Sequence, residues 1–497
     1  MRSKKALKNI IVSVIMQLVA VIYGFIVPRI IIKQYGSEIN GLMASITQFL
    51  GYITLLEAGF GPVVKAALYK PLANKNYQQI ANVVMVSERF FRKIAAIFLV
   101  YILVLTVVYP LCINTSYDFI FTASMILIIA ASTFAEYFFG LTYQLLLHAA
   151  QATYVAAGLQ AAIYVIGVIV TVILAKFGVD VRILKASICI LYLIKPIILN
   201  MYARKKFRIK EQKVDKKFVL KNKWDGLAQH IAAVINEKTD TVVLTVFAGL
   251  KSVSIYSVYY LVSRSLNLLI NSIMNGVSAT FGDIIAKKEL DLLEKRFNAY
   301  ETVYLTLVTV LYSAAMCLII PFISTYTAGI HDADYIQPVF ALIFITSGLV
   351  YALRLPYITI VTAAGKFKET KKGAILEAAL NIIVSVLCVI KLGLVGVAIG
   401  TFVAQAVRTT ELICFTNKNI IGRNIRNTVM KILVMGVAII ISAILPKIVP
   451  YYGNGYLDLM IYALKIMVPM GLVIVLVNMV LHKKDFADMM RTIRKKK

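Results

Sequence analysis

Two sets of ionisable side chains stand inside stretches of sequence that are otherwise apolar. The basic set is Arg29, Lys65, Lys195, Lys238, Arg264, Arg354, Arg408 and Lys465. The acidic set is Glu57, Glu136, Glu237, Asp240, Glu301, Glu377 and Glu411. A charge in an apolar segment is costly and faces protein or a water-filled cavity, so each marks a place where an ion or polar solute can be handled. Arginine offers a planar fork that donates two parallel hydrogen bonds, which suits an anion such as phosphate. A buried carboxyl can take up a proton or a cation. Arg264, Arg29 and Arg354, in that order, are the expected anion-binding groups. Glu57, Glu136 and Asp240 are expected either to carry coupling ions or to hold helices together. Plainer accounts exist for others. Arg408 and Glu411 stand three residues apart on one helical face and form a pair. Lys65, Glu301 and Glu377 lie near segment ends, where a long side chain snorkels to water. Arg29 can also reach outward, and Arg264 can be neutralised by Glu57 or Asp240.

The elements that position these groups follow from composition. Of 497 residues, 60% are hydrophobic, and the mean hydropathy is +0.81. A soluble chain of this size cannot keep so much apolar surface from water, which places it in the membrane class. Apolar runs recur from end to end, each long enough to cross ~30 Å of hydrocarbon. Helices satisfy their own backbone within a segment, and nothing alternates as barrel strands do. Fourteen spans are expected, near 10–33, 39–65, 87–110, 117–145, 150–176, 182–202, 224–250, 254–285, 297–325, 335–362, 373–391, 394–416, 429–449 and 457–481. The first is too long for a signal peptide and is retained.

Net charge is +29, and its placement is informative. Lysine and arginine gather in every second connection: at Arg2 to Lys8, Lys70 and Lys75, Arg204 to Lys223, and Lys287 to Arg296. The series continues at Lys366 to Lys372, Lys418 to Arg426, and from Lys483 to the terminal Lys497. Basic loops stay cytoplasmic, so both termini are expected there. Nucleic acid is a poor account, because the basic segments are short and lack interleaved aromatics. Cys112, Cys189, Cys317, Cys388 and Cys414 have no paired spacing, and the histidines form no ligand pair, so no metal or cofactor is expected. Phosphate-loop, nucleophile-elbow and zinc-protease motifs are missing, which argues against an enzyme.

Landmarks recur at a nearly constant offset. Gly36 matches Gly249, Pro110 matches Pro321, Tyr143 matches Tyr357, and Lys176-Phe-Gly178 matches Lys391-Leu-Gly393. A duplicated six-helix unit accounts for them. Six is even, so the copies enter from the same side as parallel repeats. The expected domains are a six-helix lobe 1–203, a basic cytoplasmic linker 204–223, a second lobe 224–417, an appended helix pair 418–481 and a basic tail 482–497. Two such lobes around a central cavity suit alternating access.

The run Pro28-Arg29-Ile-Ile-Ile-Lys-Gln-Tyr-Gly36-Ser-Glu-Ile-Asn-Gly41-Leu42, followed by Leu56-Glu57-Ala58-Gly59-Phe-Gly61, resembles the first helical pair of bacterial polysaccharide repeat-unit flippases of the Wzx type. Asn236-Glu-Lys-Thr-Asp240, Ala364-Gly365-Lys366-Phe367-Lys368 and Gly393-Leu-Val-Gly396-Val-Ala398-Ile-Gly400-Thr401 fit as well. These motifs point to the multidrug/oligosaccharidyl-lipid/polysaccharide exporter superfamily. The resemblance implies flipping of undecaprenyl-pyrophosphate-linked oligosaccharides for O-antigen, capsule or exopolysaccharide in a bacterial inner membrane. A polysaccharide polymerase and assembly proteins are the implied partners. It also implies a diphosphate as the anion for Arg264, Arg29 and Arg354, and a lipid groove beside the appended pair, where Lys465 meets a phosphate. Twelve spans are usual in the drug-exporting branch, so a drug or cation antiporter is the alternative.

Overall fold

The computed structural model describes every residue except 1, 58, 213, 216–217, 221–226, 275–277, 454 and 495–497. Ala58 of the second-helix motif, parts of the basic linker and the terminal Lys495, Lys496 and Lys497 lie outside the described residues. Among the described residues the fold is all-helical, and 13 helices are long and apolar enough to cross a membrane. A further helix, Leu227–Phe247, is 21 residues long and stands where the seventh span is expected, but carries Glu237, Lys238 and Asp240.

The chain divides into two compact units, Met1–Ser254 and Ile255–Lys497. The first unit contains α1 (Arg2–Tyr35), α2 (Ser37–Gly51), α3 (Phe60–Ala73), α4 (Tyr77–Cys112), α5 (Phe119–Ala135), α6 (Leu141–Ala149), α7 (Thr153–Lys176), α8 (Val181–Lys206) and α9 (Leu227–Phe247). Then α10 (Leu250–Met274) leads into α11 (Ser278–Ala286), α12 (Leu290–Tyr326), α13 (Pro338–Ala363), α14 (Lys371–Leu392) and α15 (Leu394–Thr416). The chain closes with α16 (Arg426–Ser442), the short α17 (Leu445–Ile448), α18 (Tyr456–Leu481) and α19 (Lys483–Arg494). By contacts, α9 belongs with the first unit, where it packs on α2.

Helix starts are set by local chemistry. Asn76 and Asp118 cap α4 and α5 by accepting from backbone N–H groups three residues on, and Asp180 caps α8 by accepting from Arg182 N. The second expected span is not one rod. After α2 the chain tightens into a 3-10 turn, Tyr52–Leu56, and restarts at α3 behind Gly59, whose φ of 77° favours glycine. The eighth expected span corresponds to α10 and α11, with residues 275–277 between them outside the described residues.

Positive φ values expose the repeat. Gly36 and Gly249, Lys75 and Lys288, Gln151 and Gly365, Gly178 and Gly393, and Arg208 and Gly422 all take this conformation, each pair separated by 213 to 215 residues. Lysine, glutamine and arginine rarely adopt it, so equivalent corners have kept their geometry while the residue types changed. In the second unit α14 and α15 approach closely, because Gly396 and Gly400 turn bare faces to Cys388 and Ser385.

Candidate functional site

Charged groups within the first unit gather around a π-turn. The helix that begins as α5 widens over Glu136–Gly140 before continuing as α6. Such a bulge turns consecutive side chains to different neighbours, and π-bulges are frequent at functional sites. Glu136 accepts from Lys195 Nζ at 3.2 and 3.3 Å, while the next residue, Tyr137, donates its hydroxyl to Glu57. Gly140 leaves room for Pro196 on α8. His230 on α9 lies 3.0 Å from the Thr54 carbonyl, on the turn that carries Glu57. Two expected coupling carboxylates, Glu57 and Glu136, are therefore brought together. Asp240 is buried on α9 and engaged by its surroundings. Arg29 is half-buried, one residue past Pro28 in α1, and is also engaged.

The second unit treats its arginines differently. Arg354 is buried on α13 and bonded to Glu377 at 2.5 Å, with its guanidinium over the Tyr351 ring. Glu377 lies 3.8 Å from Arg408, which bonds Glu411 at 2.6 Å and donates to the Thr370 carbonyl at 2.9 Å. Charges thus alternate in sign across α13, α14 and α15, and the buried Nε of Arg354 has no partner among the described residues.

Arg264 stands alone in character. It lies 14 residues into α10, ~21 Å along the axis, and is exposed. Among the described residues no hydrogen bond or ion pair holds its guanidinium. An exposed cation at mid-helix requires water beside it, since hydrocarbon does not accommodate it. Sequence reading missed its neighbours: Ser257, Tyr260, Arg264, Asn267 and Asn271 recur every three or four residues along α10 and fall on one face of it. That spacing was the available signal. The Asn267 side-chain oxygen is buried without a partner among the described residues. Lys465 is exposed on α18.

Glu301 corrects one expectation. It does not snorkel: its side chain is 0% exposed, accepting from Arg423 at 2.5 Å, Lys431 at 3.0 Å, Thr428 at 3.0 Å and Tyr357 at 2.5 Å. Glu377, paired with Arg354, is also buried rather than drawn to water. In the first unit, Glu88 takes the equivalent place 213 residues earlier, accepting from Tyr143 and bonded to Arg204 at 2.7 Å. The Tyr143 and Tyr357 match is therefore part of a repeated tyrosine–glutamate pair, to which each unit adds an arginine from a different register, Arg204 in the first and Arg423 in the second.

No protein-family model matches the chain, and no curated protein matches it. Solved structures do. A structure described as lipid II flippase MurJ in an inward closed conformation superposes with a TM-score of 0.64 at 16% identity, covering 96% of this chain and 100% of its own. An inward-facing multidrug resistance MATE family transporter of the MOP superfamily gives a TM-score of 0.62 at 10% identity, covering 84% of this chain and 99% of its own. A MOP superfamily transporter from Pyrococcus furiosus gives 0.55 at 10% identity, covering 84% and 95%. The chain therefore has the all-helical, multi-pass fold of these transporters.

Proposed function

We propose that the protein is a flippase moving polyprenyl-pyrophosphate-linked oligosaccharides across a bacterial cytoplasmic membrane by alternating access, with both termini in the cytoplasm. The observation that carries this reading is Arg264, an exposed cation at mid-helix with a polar stripe beside it. A diphosphate supplies the charge and paired oxygens that a guanidinium recognises. Asn267 and Asn271 add amide groups for a sugar or phosphate, and Tyr260 adds a ring face. Arg29 is the second anion group. Arg354 is the third, and only through exchange of Glu377 for substrate. Glu57 and Glu136 are the proposed coupling carboxylates, with Asp240 as a helix-holding group, and Lys465 contacts a lipid phosphate on α18. A second observation favours a lipid-linked cargo over a drug: the flippase structure extends over nearly the whole chain, whereas the MATE structure leaves about a sixth uncovered. That remainder is about the length of the appended pair and tail. Polysaccharide polymerase and assembly proteins are the proposed partners. Cells lacking the protein and complemented with Arg264→Ala should fail to export surface polysaccharide while holding normal amounts of the variant in the membrane. Full export with Arg264→Ala refutes the assignment of that site.

A further inference from the structure

Helix α19 leaves α18 through one residue, His482, and lies along the first third of α12. Both of its carboxylates are consumed by cations of the unit it covers. Asp485 accepts from Lys431 Nζ at 3.1 Å and from the Thr302 hydroxyl at 2.5 Å. Asp488 pairs with Lys295 Nζ at 3.2 Å. Lys431, 8% exposed, divides its donors among Asp485, Glu301 and the Asn298 carbonyl.

The first unit provides the comparison. Its repeat-equivalent corner has Asn82 where the second unit has Lys295, and Asn82 accepts from the backbone of Asp215 in the linker at 2.8 Å. Lys431 stands on α16, beyond the repeat, and has no counterpart there. Around Glu88 the strong pair is with Arg204 alone, Arg92 lying at 3.9 Å. In the second unit Arg423 and Lys431 both face the Glu301 carboxylate, and a third cation, Lys295, stands six residues earlier on α12. Two positive charges are left over, and two α19 carboxylates neutralise them.

We propose that Lys295, Lys431 and Thr302 form a binding site for a phosphate-bearing anion, lipid-borne or free, and that Asp485 and Asp488 occupy it in the state seen here. Two ammonium groups and a hydroxyl offer donors suited to phosphate oxygens, and a lipid diphosphate carries the same charge as the two carboxylates together. The site lies where the apolar part of α12 begins, at the level of lipid headgroups. With its acids turned inward, α19 exposes Lys483, Lys484 and Arg491, so once displaced it is attracted to an anionic leaflet. The site does not depend on which substrate the protein transports.

The test uses the full chain in lipid nanodiscs, reading α19 by hydrogen exchange and retained lipid by native mass spectrometry. Asp485→Asn/Asp488→Asn should unprotect α19 and raise retained phosphatidylglycerol several-fold, and adding Lys295→Gln should reverse the rise. In wild-type protein, phosphatidylglycerol or inorganic pyrophosphate should unprotect α19. An effect of pyrophosphate in discs without anionic lipid identifies a free anion as sufficient, whereas an effect of phosphatidylglycerol alone identifies a lipid headgroup. Failure of both probes to unprotect α19 in the wild-type protein overturns the proposal. Asp488→Asn alone, which alters the pair with the exposed Lys295, should give a smaller rise; no rise from it or from the double variant likewise overturns the site.

Discussion

Replacing Glu301 by Gln should destabilise the protein far more than replacing Glu88 by Gln, although the two occupy equivalent places. Glu301 is 0% exposed and is bonded to Arg423 and Lys431, which are 0% and 8% exposed. Removing its charge leaves the buried Arg423 without the anion it pairs with and Lys431 with Asp485 alone, and breaking a buried ion pair in this way costs about 3–5 kcal/mol. Glu88 and Arg204 retain 18% and 29% exposure, so water compensates part of the loss and the cost falls to about 1 kcal/mol. For a cooperative unit of this size, each kcal/mol moves the midpoint by about 2–4 °C. Glu301→Gln should therefore lower it by about 6–20 °C and Glu88→Gln by about 2–4 °C. The assay can use the protein's own thiols. Cys189 and Cys317 are buried and react with a thiol dye on unfolding, once Cys112, Cys388 and Cys414 are replaced by Ser. Equal shifts for the two variants, or a stable Glu301→Gln protein, refute the reasoning from burial.

Other outcomes follow from the same geometry. Gly400→Ala sets a methyl group against Ser385 and should cost about 1–3 kcal/mol by overpacking, read as a lower midpoint in the thiol assay. Glu377→Gln leaves Arg354 without its anion and should destabilise the second unit by about 3–5 kcal/mol, with partial recovery in Glu377→Gln/Arg354→Met; no recovery contradicts the pairing. His482, between α18 and α19, has its pKa lowered from 6.5 by burial and by Lys431, against the opposing pull of Asp485 and Glu301. A histidine held neutral by the folded corner stabilises it above its unfolded pKa, and that contribution is lost as pH falls below about 6.5. Hydrogen exchange in α19 should therefore speed up on acidification, after correction for intrinsic rates, and His482→Asn should flatten that dependence.

Much of this was legible because membrane helices are written locally. Each expected span finds a helix near its place, since twenty apolar residues leave the backbone no other solution. Arg408 and Glu411 pair as their spacing requires. The break at Gly59 was obscured because the residues on both sides of it are apolar, and hydropathy carries no record of φ. Glu301 could not be read as buried, because Arg423 and Lys431 come from 122 and 130 residues away. Proximity to a segment end suggested water; tertiary packing supplied cations instead. The pairing of Arg354 was hidden for the same reason, its partner Glu377 standing on the next helix. The stripe on α10 was open to reading from spacing alone.

The central claim is that this chain carries a lipid-linked oligosaccharide to the far leaflet, and the direct measurement is the sidedness of that intermediate in cells lacking the protein. An impermeant glycosidase applied to spheroplasts reports the outer-leaflet fraction. The account predicts that the intermediate accumulates and resists the enzyme, and that wild-type protein but not Arg264→Ala restores cleavage. An intermediate cleaved normally without the protein, in cells shown to have no second flippase for it, contradicts the account and leaves a drug or cation antiporter as the reading of this fold.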